Sequence, residues 1–340
     1  MIKEAIIMVA KHENLTYSEA EGVMDEIMTG QVTGVQMSSF LTAMSMKGET
    51  IDEITAFAAG MRKYSVRLLH SPNALEIVGT GGDMSNSFNI STTSSFVISA
   101  AGVPVAKHGN RAASSKCGAA DVLEALGVNI SMPPERCVNL LDDIGICFLF
   151  AQKYHLAMKY VAPVRKELGI RTVFNVLGPL TNPMGTNMQL MGVYDESMVR
   201  PLAQVMHNLG VKNGMVVHGH DGLDEISISD RTSVCEIRDG RFDDYELDPD
   251  KFGFRRCDKE DIIGGDPTEN AVILREILSG ERGPRRDIVI LNSAAALYIA
   301  KKSGTMEDSI NMAKKAIDSG MALEKLERLI ELSNVSRAVL

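Results

Sequence analysis

The 340-residue sequence lacks several features that define large classes of protein. It has no run of eighteen apolar residues and no secretory signal pattern at its start, so we expect neither a membrane-spanning helix nor secretion. Its cysteines are odd in number and show no CxxC spacing, which favours reduced thiols in a cytoplasm over a disulfide framework or a zinc site. Tryptophan is absent, and the twenty methionines are more typical of core packing than of a cofactor site.

Acidic residues outnumber basic ones, 44 to 35. The net charge of −9 argues against a general binder of nucleic acid or anionic membranes, so an anionic ligand would have to meet local positive charge. We find no Ser/His/Asp set and no activated cysteine, since Cys117, although beside several cations, is more typical of a structural thiol. The sequence therefore predicts catalysis by positioning and charge neutralisation, with no dedicated nucleophile or base.

The sequence contains two successive patterns of apolar residues. Residues 1–70 carry them at helical spacing, as at Ile2, Ala5, Ile6 and Val9, and a capping box precedes the second helix at 16–19. From residue 75 onward, short apolar strands alternate with helices, which is typical of a mostly parallel sheet with crossover helices. The predicted strands are residues 75–78, 103–106, 146–150, 188–193, 214–218 and 287–291, with a hairpin at 233–242. The predicted helices include residues 94–101, 119–126, 134–143, 198–209 and 270–278, and two last helices broken at Gly320.

These patterns predict an α/β fold with two domains. We expect a small N-terminal helical domain at residues 1–70 and a larger α/β domain, with a mostly parallel central sheet, at residues 71–340. Residues 162–184 are rich in proline and glycine and fit neither pattern. They indicate either a linker or a return of the chain into the helical domain, through part of 165–187. A ligand cleft and active site at the hinge between the domains follow from this arrangement.

The sequence GTGGDMSNSFNIST, residues 79–92, follows the first predicted strand. Three glycines within four positions let backbone N–H groups approach a ligand, and small hydroxyl and amide side chains follow before a helix. Free N–H groups and the positive end of a helix dipole would then face one point, which predicts an anion-binding site. The spacing matches neither a dinucleotide-binding fingerprint nor a P-loop, and a plain strand-to-helix turn is the alternative.

A second polar stretch, residues 107–118, follows the next strand. Its lysines, arginine, histidine, asparagine and serines form an unusual concentration of donor groups in an acidic protein. Such groups at a strand end suit a phosphorylated substrate, whereas the alternative is a solvated basic loop. We expect both stretches at the carboxyl edge of the sheet, where open α/β sheets bind ligands.

Two further sets of charged residues complete the candidates. Asp224 and Glu225, at a strand end, are good oxygen ligands for Mg²⁺, although adjacent carboxylates are also common in turns. The nearby His218 and His220, in an HxH pattern, are weak evidence for a transition-metal site. Arg165 or Arg171 would hold a substrate carboxylate through paired hydrogen bonds, or would lie on a helix surface with an acidic neighbour.

Six motifs together resemble the anthranilate phosphoribosyltransferase family, in an order that runs almost from end to end. They are GTGGD (79–83), NIST (89–92), KHGNRAASSKCGAADVLEALG (107–127), RTVFNVLGPLTNP (171–183), LDEIS (223–227) and GGDPTENA (264–271). The resemblance implies a two-domain fold of the nucleoside phosphorylase/phosphoribosyltransferase type, Mg²⁺ as cofactor, and a homodimer. It also implies transfer of the phosphoribosyl group of phosphoribosyl pyrophosphate to the amino group of anthranilate, in tryptophan biosynthesis.

The same resemblance implies roles for individual residues. Those implied for phosphoribosyl pyrophosphate are Gly79, Gly82, Asp83, Ser87, Asn89, Ile90, Ser91, Thr92, Lys107, His108, Gly109, Asn110, Arg111, Ala112, Ala113, Ser114 and Ser115. Those implied for anthranilate are Gly79, Asn110, Arg165, His108, Gly178 and Pro179. Those implied for the metal are Ser91, Asp224 and Glu225.

The sequence departs from the family pattern at three positions. Ser87 replaces a common threonine and keeps the hydroxyl, while Cys117 and Ala119 stand where many members have serine. Ala119 therefore removes one candidate phosphate contact.

Two alternative functions remain: a nucleoside phosphorylase of the same broad fold, using free phosphate and a pyrimidine nucleoside, and a non-catalytic paralogue that binds nucleic acid. The net charge and the presence of Asn110 and Arg165 argue against the second.

Overall fold

The computed structural model describes residues 1–68, 73–112 and 115–335. The first described range forms four helices, α1 (Ile2–Ala10), α2 (Tyr17–Met28), α3 (Gly34–Lys47) and α4 (Ile51–Lys63). A threonine caps each of the last three by accepting a backbone N–H, and the glutamate or glutamine at the third helical position returns the bond. The pairs are Thr16 with Glu19, Thr33 with Gln36 and Thr50 with Glu53. The sequence prediction of four short helices is confirmed.

The rest of the chain alternates strands and helices. The strands are β1 (Leu75–Gly79), β2 (Val105–Gly109), β3 (Ile146–Phe150), β4 (Met188–Gly192), β5 (Asn213–Gly219), β6 (Thr232–Arg238) and β7 (Arg241–Leu247). The helices are α5 (Ile90–Ala100), α6 (Ala119–Ala125), α7 (Pro134–Ile144), α8 (Ala151–Tyr154), α9 (Ala162–Leu168), α10 (Phe174–Leu180), α11 (Val199–Asn208), α12 (Pro267–Leu278), α13 (Pro284–Ile299), α14 (Met306–Asp318) and α15 (Met321–Asn334). None of the helices in the described part of the chain has the length and apolar character needed to cross a membrane.

Within the described residues the strands form one sheet in the order β3-β2-β1-β4-β5-β6-β7. Neighbours are parallel from β3 to β5, and β6 and β7 add the predicted hairpin in antiparallel orientation. The chain moves from β1 to β2 on one side and returns to place β4 on the other side of β1. The carboxyl end of β1 is therefore the point of reversal, the position at which open α/β sheets bind their ligands.

The two faces of the sheet pack against two separate cores. Leu190, Met215 and Val217 join a core with α5 and α13, while the alternate residues Met191 and Val216 join a core with the N-terminal helices. This alternation is the period of two that a strand imposes on its side chains. On this face α11 packs against β5 and β6, and α4 packs against α11, so the N-terminal helices share one core with this side of the sheet.

The proline- and glycine-rich segment at 162–184 forms α9 and α10. Phe174, Val176 and Leu177 are buried in the core that contains the N-terminal helices, and Arg62 of α4 donates to the carbonyl oxygen of Leu180 at 2.8 Å. The packing of this segment therefore supports a return of the chain toward the N-terminal helices.

One predicted strand is wrong. Residues 287–291 lie within α13, where Ile288, Val289, Ile290 and Leu291 are all fully buried. A short apolar run does not separate a buried strand from a helix that is apolar on every side, and here the helix packs against α5 and α14. Its β-branched side chains favour a strand only weakly, so tertiary packing decides.

The second strand is also displaced from its predicted position. β2 begins at Val105, after Pro104, and extends through Lys107, His108 and Gly109. The sequence predicts these three residues in a polar loop. Lys107 and His108 are instead buried side chains on opposite faces of the sheet, which separates their surroundings.

Candidate active site

The glycine-rich turn after β1 is tied to the neighbouring strand β4. The N–H of Thr80 donates to the carbonyl oxygen of Gly192 at 3.0 Å, and the hydroxyl of Thr80 accepts from the N–H of Tyr194 at 3.2 Å. Gly81 and Gly82 then take φ values of +69° and +78°, which an L side chain rarely adopts. The turn thus reverses direction directly above the carboxyl ends of β1 and β4.

Two glycines at these strand ends make room for Asp224. A Cβ atom on Gly79 would lie 2.3 Å from Oδ2 of Asp224, and one on Gly192 would lie 1.6 Å from its carbonyl oxygen. The N–H of Gly81 donates to the same Oδ2 atom at 2.6 Å. The structure therefore brings the 79–83 motif and the Asp224-Glu225 motif together, as the sequence prediction requires.

Asp224 and Glu225 are both buried beside a third carboxylate, that of Asp83. Burial raises the pKa of Asp224 well above its usual value, and the charges of Asp83 and Glu225 add to this effect. Burial also raises the pKa of Glu225 to about 7, although Lys107 opposes the shift. A cation bound between these groups would relieve their mutual repulsion.

Lys107 connects this acidic cluster to the start of α5. Its Nζ atom donates to the carbonyl oxygen of Ile77 at 2.7 Å and to Oγ of Ser91 at 3.3 Å. Burial lowers the pKa of Lys107, while the charge of Glu225 opposes that shift. The buried ammonium is therefore fixed at the carboxyl edge, where an anion would meet it.

The predicted NIST motif forms the first turn of α5. Asn89 is the N-cap residue, Ile90 and Thr92 are buried, and the N–H of Ser91 donates to Oε1 of Glu225 at 3.2 Å. The N-terminus of a helix presents unsatisfied N–H groups and the positive end of its dipole, which favour phosphate. The helix end, Lys107 and the glycine-rich turn converge on one region.

The donor set at this edge suits Mg²⁺. No cluster of three or more His, Cys, Asp or Glu residues with the arrangement of a metal site occurs in the described ranges. Mg²⁺ does not require one, since it is commonly held by one or two carboxylates together with substrate phosphates and water. Ser91, Asp224 and Glu225 supply two buried carboxylates and a hydroxyl next to Lys107 and the start of α5.

The loop after β2 is held by internal contacts. The guanidinium group of Arg111 pairs with Asp121 at 2.9 Å and with Glu124 at 2.8 Å, and the N–H of Ala112 donates to Asp121 at 2.8 Å. The exposed Asn110 accepts a bond from the N–H of Arg111 at 2.8 Å. The structure thus places Arg111 in ion pairs with the following helix, α6.

Two of the remaining predicted residues, Ser115 and Ser87, lie in different loops. Ser115 is exposed, and its hydroxyl donates to the carbonyl oxygen of Cys117 at 3.3 Å. Ser87 lies on the other side, in the turn before α5, where its N–H donates to Oγ of Ser85 at 3.2 Å. Ala113 and Ser114 lie outside the described residues.

His108 lies on the opposite face of the sheet from Lys107, against α10. Its ring centre is 5.1 Å from that of His155, and its ring contacts the backbone of Gly178. Burial lowers the pKa of His108 to about 3 and that of His155 to about 4. Both rings are therefore neutral at physiological pH.

We expect the buried neutral His155 to make the protein sensitive to acid. Its pKa in the folded state, about 4, is below the unfolded value near 6.5, so the unfolded chain binds the proton first and stability falls as the pH drops through this interval. From pH 7 to pH 5 this one group removes about 2 kcal/mol from the free energy of unfolding. Urea unfolding of wild type and His155→Gln at both pH values should show a smaller acid loss in the variant. His12→Gln, at an exposed histidine, is the matched control and should behave as wild type.

The two candidate arginines have different surroundings. Arg165, on α9, is half-buried with its guanidinium 5.6 Å from the ring centre of Phe174, and it makes no ion pair within the described residues. Burial lowers its pKa. Arg171 instead donates to the carbonyl oxygen of Gly82 at 2.5 Å and lies over the ring of Tyr194 at 4.1 Å. Arg165 is thus the arginine available to an incoming anion.

Sequence reasoning missed two buried polar residues near the site. Glu76 is fully buried in β1, where burial raises its pKa to about 8. The only sequence feature that points to it is a charged residue within an apolar strand. Asn270 belongs to the GGDPTENA motif and donates to Asn89 at 2.9 Å, although the sequence alone assigns it no role.

The two histidines of the HxH pattern have separate partners. His218 contacts the carbonyl oxygen of Val193 and His220 contacts the hydroxyl of Ser233, so the two rings do not converge on a common point.

Both domains of the chain match a known class of enzyme. Residues 3–65 match the helical bundle domain of the glycosyl transferase family, and residues 71–323 match the a/b domain of the same family. The chain is therefore a two-domain glycosyl transferase.

Individual relatives narrow the assignment. A protein named anthranilate phosphoribosyltransferase from Methanobrevibacter smithii is 63% identical over 98% of this chain and 100% of its own length. The crystal structure of the enzyme of that name from Thermus thermophilus is 42% identical, with a TM-score of 0.93 over 97% of this chain and 99% of that one. The Saccharomyces cerevisiae enzyme in complex with PRPP and Mg is 30% identical, with a TM-score of 0.90 over 98% and 97%. The chain belongs to the anthranilate phosphoribosyltransferase family.

Proposed function

We propose that the chain transfers the phosphoribosyl group of phosphoribosyl pyrophosphate to the amino group of anthranilate and releases pyrophosphate, in tryptophan biosynthesis. The observation that carries this proposal is the convergence of the α5 N-terminus, Lys107 and the glycine-rich turn beside the buried pair Asp224 and Glu225. Positive groups for phosphate and negative groups for a divalent cation lie at one strand edge. That combination suits a Mg²⁺-bound pyrophosphate leaving group.

The phosphoribosyl pyrophosphate would occupy this strand edge. Gly79, Gly82, Asp83, Asn89, Ile90, Ser91 and Thr92 surround its pyrophosphate, and Lys107 to Ser115 border its phosphate and ribose. Ser91, Asp224 and Glu225 hold Mg²⁺, which supplies neutralisation of the pyrophosphate charge when bound. Arg111 contributes mainly by ordering the loop, because its guanidinium group is engaged by Asp121 and Glu124.

Anthranilate would approach from the side of α9 and α10. Arg165 pairs with its carboxylate, Asn110 contacts it next to the ribose, and His108, Gly178 and Pro179 line its path. A neutral His108 suits the aromatic ring of anthranilate, because a charged histidine at this position would lose solvation when anthranilate binds. The half-buried guanidinium of Arg165 gains most from an anionic partner, since burial already disfavours its isolated charge.

The reaction needs little acid–base chemistry from the protein. The bond between ribose C1 and the pyrophosphate oxygen breaks, and the bonding electrons leave with pyrophosphate. The amino nitrogen of anthranilate forms the new bond to C1 and then releases one proton to solvent or pyrophosphate. Because the aromatic amine is neutral near pH 7, the site has to position it and stabilise the leaving group.

Three wider assignments belong to the same proposal. Residues 1–70 with part of 165–187 form the helical domain, and residues 71–340 form the α/β domain, with the substrates between them. The enzyme acts in the cytoplasm as a homodimer, with small molecules as its substrates and without a nucleic-acid or membrane partner. The exposed apolar side chains of Ile7, Val35 and Met46 on α1 and α3 provide a surface suited to a second copy.

A fluorescence assay tests the function directly. Anthranilate fluorescence should fall only when phosphoribosyl pyrophosphate and Mg²⁺ are both present, with equimolar release of pyrophosphate. Turnover of thymidine or uridine with inorganic phosphate instead would identify a nucleoside phosphorylase. Salt-sensitive DNA binding without any transfer would identify a nucleic-acid-binding paralogue.

A further inference from the structure

The segment 262–266, here called the strap, lies across the loop that leads into α5. The N–H of Phe88 donates to the carbonyl oxygen of Ile262 at 3.1 Å, and the N–H of Gly264 donates to that of Asn86 at 2.9 Å. The two backbones approach so closely that a Cβ atom on Gly264 would lie 2.7 Å from Cα of Phe88. The strap therefore packs directly on the residues that precede the phosphate-facing helix end.

Asn270, in the first turn of α12, connects the strap to Asn89 by a chain of hydrogen bonds. Its Oδ1 atom accepts the N–H of Gly265 at 2.7 Å, and its Nδ2 atom donates to Oδ1 of Asn89 at 2.9 Å. Nδ2 of Asn89 in turn donates to the carbonyl oxygen of Cys117 at 3.1 Å. The N–H of Gly265 can only donate and the carbonyl of Cys117 can only accept. The side-chain amides of Asn270 and Asn89 therefore each have one allowed orientation.

This orientation has a consequence for the helix end. An asparagine at the N-cap commonly accepts an N–H of the first helical turn with its own side chain. The side chain of Asn89 makes no such bond, because its oxygen is engaged by Asn270 and by the thiol of Cys117 at 3.3 Å. The first turn of α5 is therefore left uncapped by its own N-cap residue, and the N–H of Ser91 points to Glu225 at the site.

We propose that Asn270 is a positioning residue for pyrophosphate, which holds the side chain of Asn89 away from the N–H groups at the start of α5. Asn270 is buried, with 2% of its surface exposed, and its two amide atoms bind Gly265 and Asn89. The assignment rests on the proposed function only in taking pyrophosphate as the ligand of this helix end. Without Asn270, the side chain of Asn89 would turn back and cap the helix in competition with phosphate.

Two variants separate this role from simple packing. Asn270→Asp keeps an oxygen for the N–H of Gly265 but has no donor for Asn89, and Asn270→Ala removes both contacts. We expect the Kd for magnesium pyrophosphate, measured by calorimetry, to rise about tenfold in both, the effect of one lost polar contact. In turnover, the KM for phosphoribosyl pyrophosphate should rise with it, while the KM for anthranilate stays within about twofold.

Glu269→Ala is the matched control on the same turn of α12. Glu269 accepts the N–H of Asp266 at 2.8 Å in the capping box of α12, and its side chain has no hydrogen bond to Asn89. It should lower the Tm without changing the Kd. Equal pyrophosphate binding by wild type and both Asn270 variants would overturn the proposal, as would an equal loss in Glu269→Ala. Should wild type bind pyrophosphate but transfer nothing to anthranilate, the proposed function fails while the Kd comparison still decides the role of Asn270.

Discussion

Replacing Asp224 by Asn and Glu225 by Gln together is expected to lower kcat/KM for phosphoribosyl pyrophosphate about a thousandfold and to shift the Mg²⁺ titration to higher concentrations. The two substitutions keep the shape of the side chains and remove both buried negative charges. Burial raises the pKa of both carboxylates, and the negative charge of the nearby Asp83 adds to the shift of each. A bound divalent cation would offset the repulsion among these carboxylates. Removing the two negative charges should therefore appear first in the dependence of the rate on Mg²⁺ concentration. Initial rates at a series of Mg²⁺ concentrations measure it.

The control for this double variant is Asp221→Asn. Asp221 lies in the same loop, but its Oδ2 atom accepts the hydroxyl of Ser227 at 2.8 Å, so its carboxylate serves the loop. It should change stability more than metal use. Each single variant should give an intermediate titration, since two adjacent ligands share one ion. A double variant with the wild-type Mg²⁺ titration would rule out the metal role of this pair.

Local sequence features predicted most of the secondary structure. The capping box of Thr16 with Glu19 and the hairpin predicted at 233–242 depend on residues that are close in the chain, and the structure contains both. The strand prediction for residues 287–291 was wrong because a short apolar run is consistent with either a buried strand or a buried helix. Packing against α5 and α14 selects the helix. Local patterns determine helix ends and turns, while burial on all sides is a property of the whole fold.

The candidate site shows the same division between local and long-range information. Glycine, carboxylate and lysine motifs were predicted at strand ends, and the parallel sheet brings them together at its carboxyl edge. The contacts that give them their properties join residues far apart in the chain, such as Gly81 with Asp224 or Asn89 with Asn270. Residue type and spacing therefore predict which groups are present. They do not predict that Gly79 must lack a Cβ atom because Asp224 lies against it.

A second large effect is expected at Arg165. We predict that Arg165→Ala raises the KM for anthranilate about a hundredfold and leaves the KM for phosphoribosyl pyrophosphate within about twofold, because a charged hydrogen-bonded contact to a carboxylate is lost. Arg165 is half-buried above Phe174 and forms no ion pair in the described part of the chain, so no internal carboxylate competes for it. Steady-state kinetics with each substrate varied in turn measure both constants.

Arg171→Ala is the comparison that makes this prediction specific to one arginine. Arg171 holds the carbonyl oxygen of Gly82 and lies over Tyr194, so its loss should loosen the glycine-rich turn and raise mainly the KM for phosphoribosyl pyrophosphate. Arg165→Lys keeps the charge but not the paired N–H groups, and should recover only part of the anthranilate affinity. Opposite patterns in the two alanine variants would assign one arginine to each substrate. Equal effects of Arg165→Ala on both constants would exclude a carboxylate contact, because removing that contact has no reason to weaken pyrophosphate binding across the site.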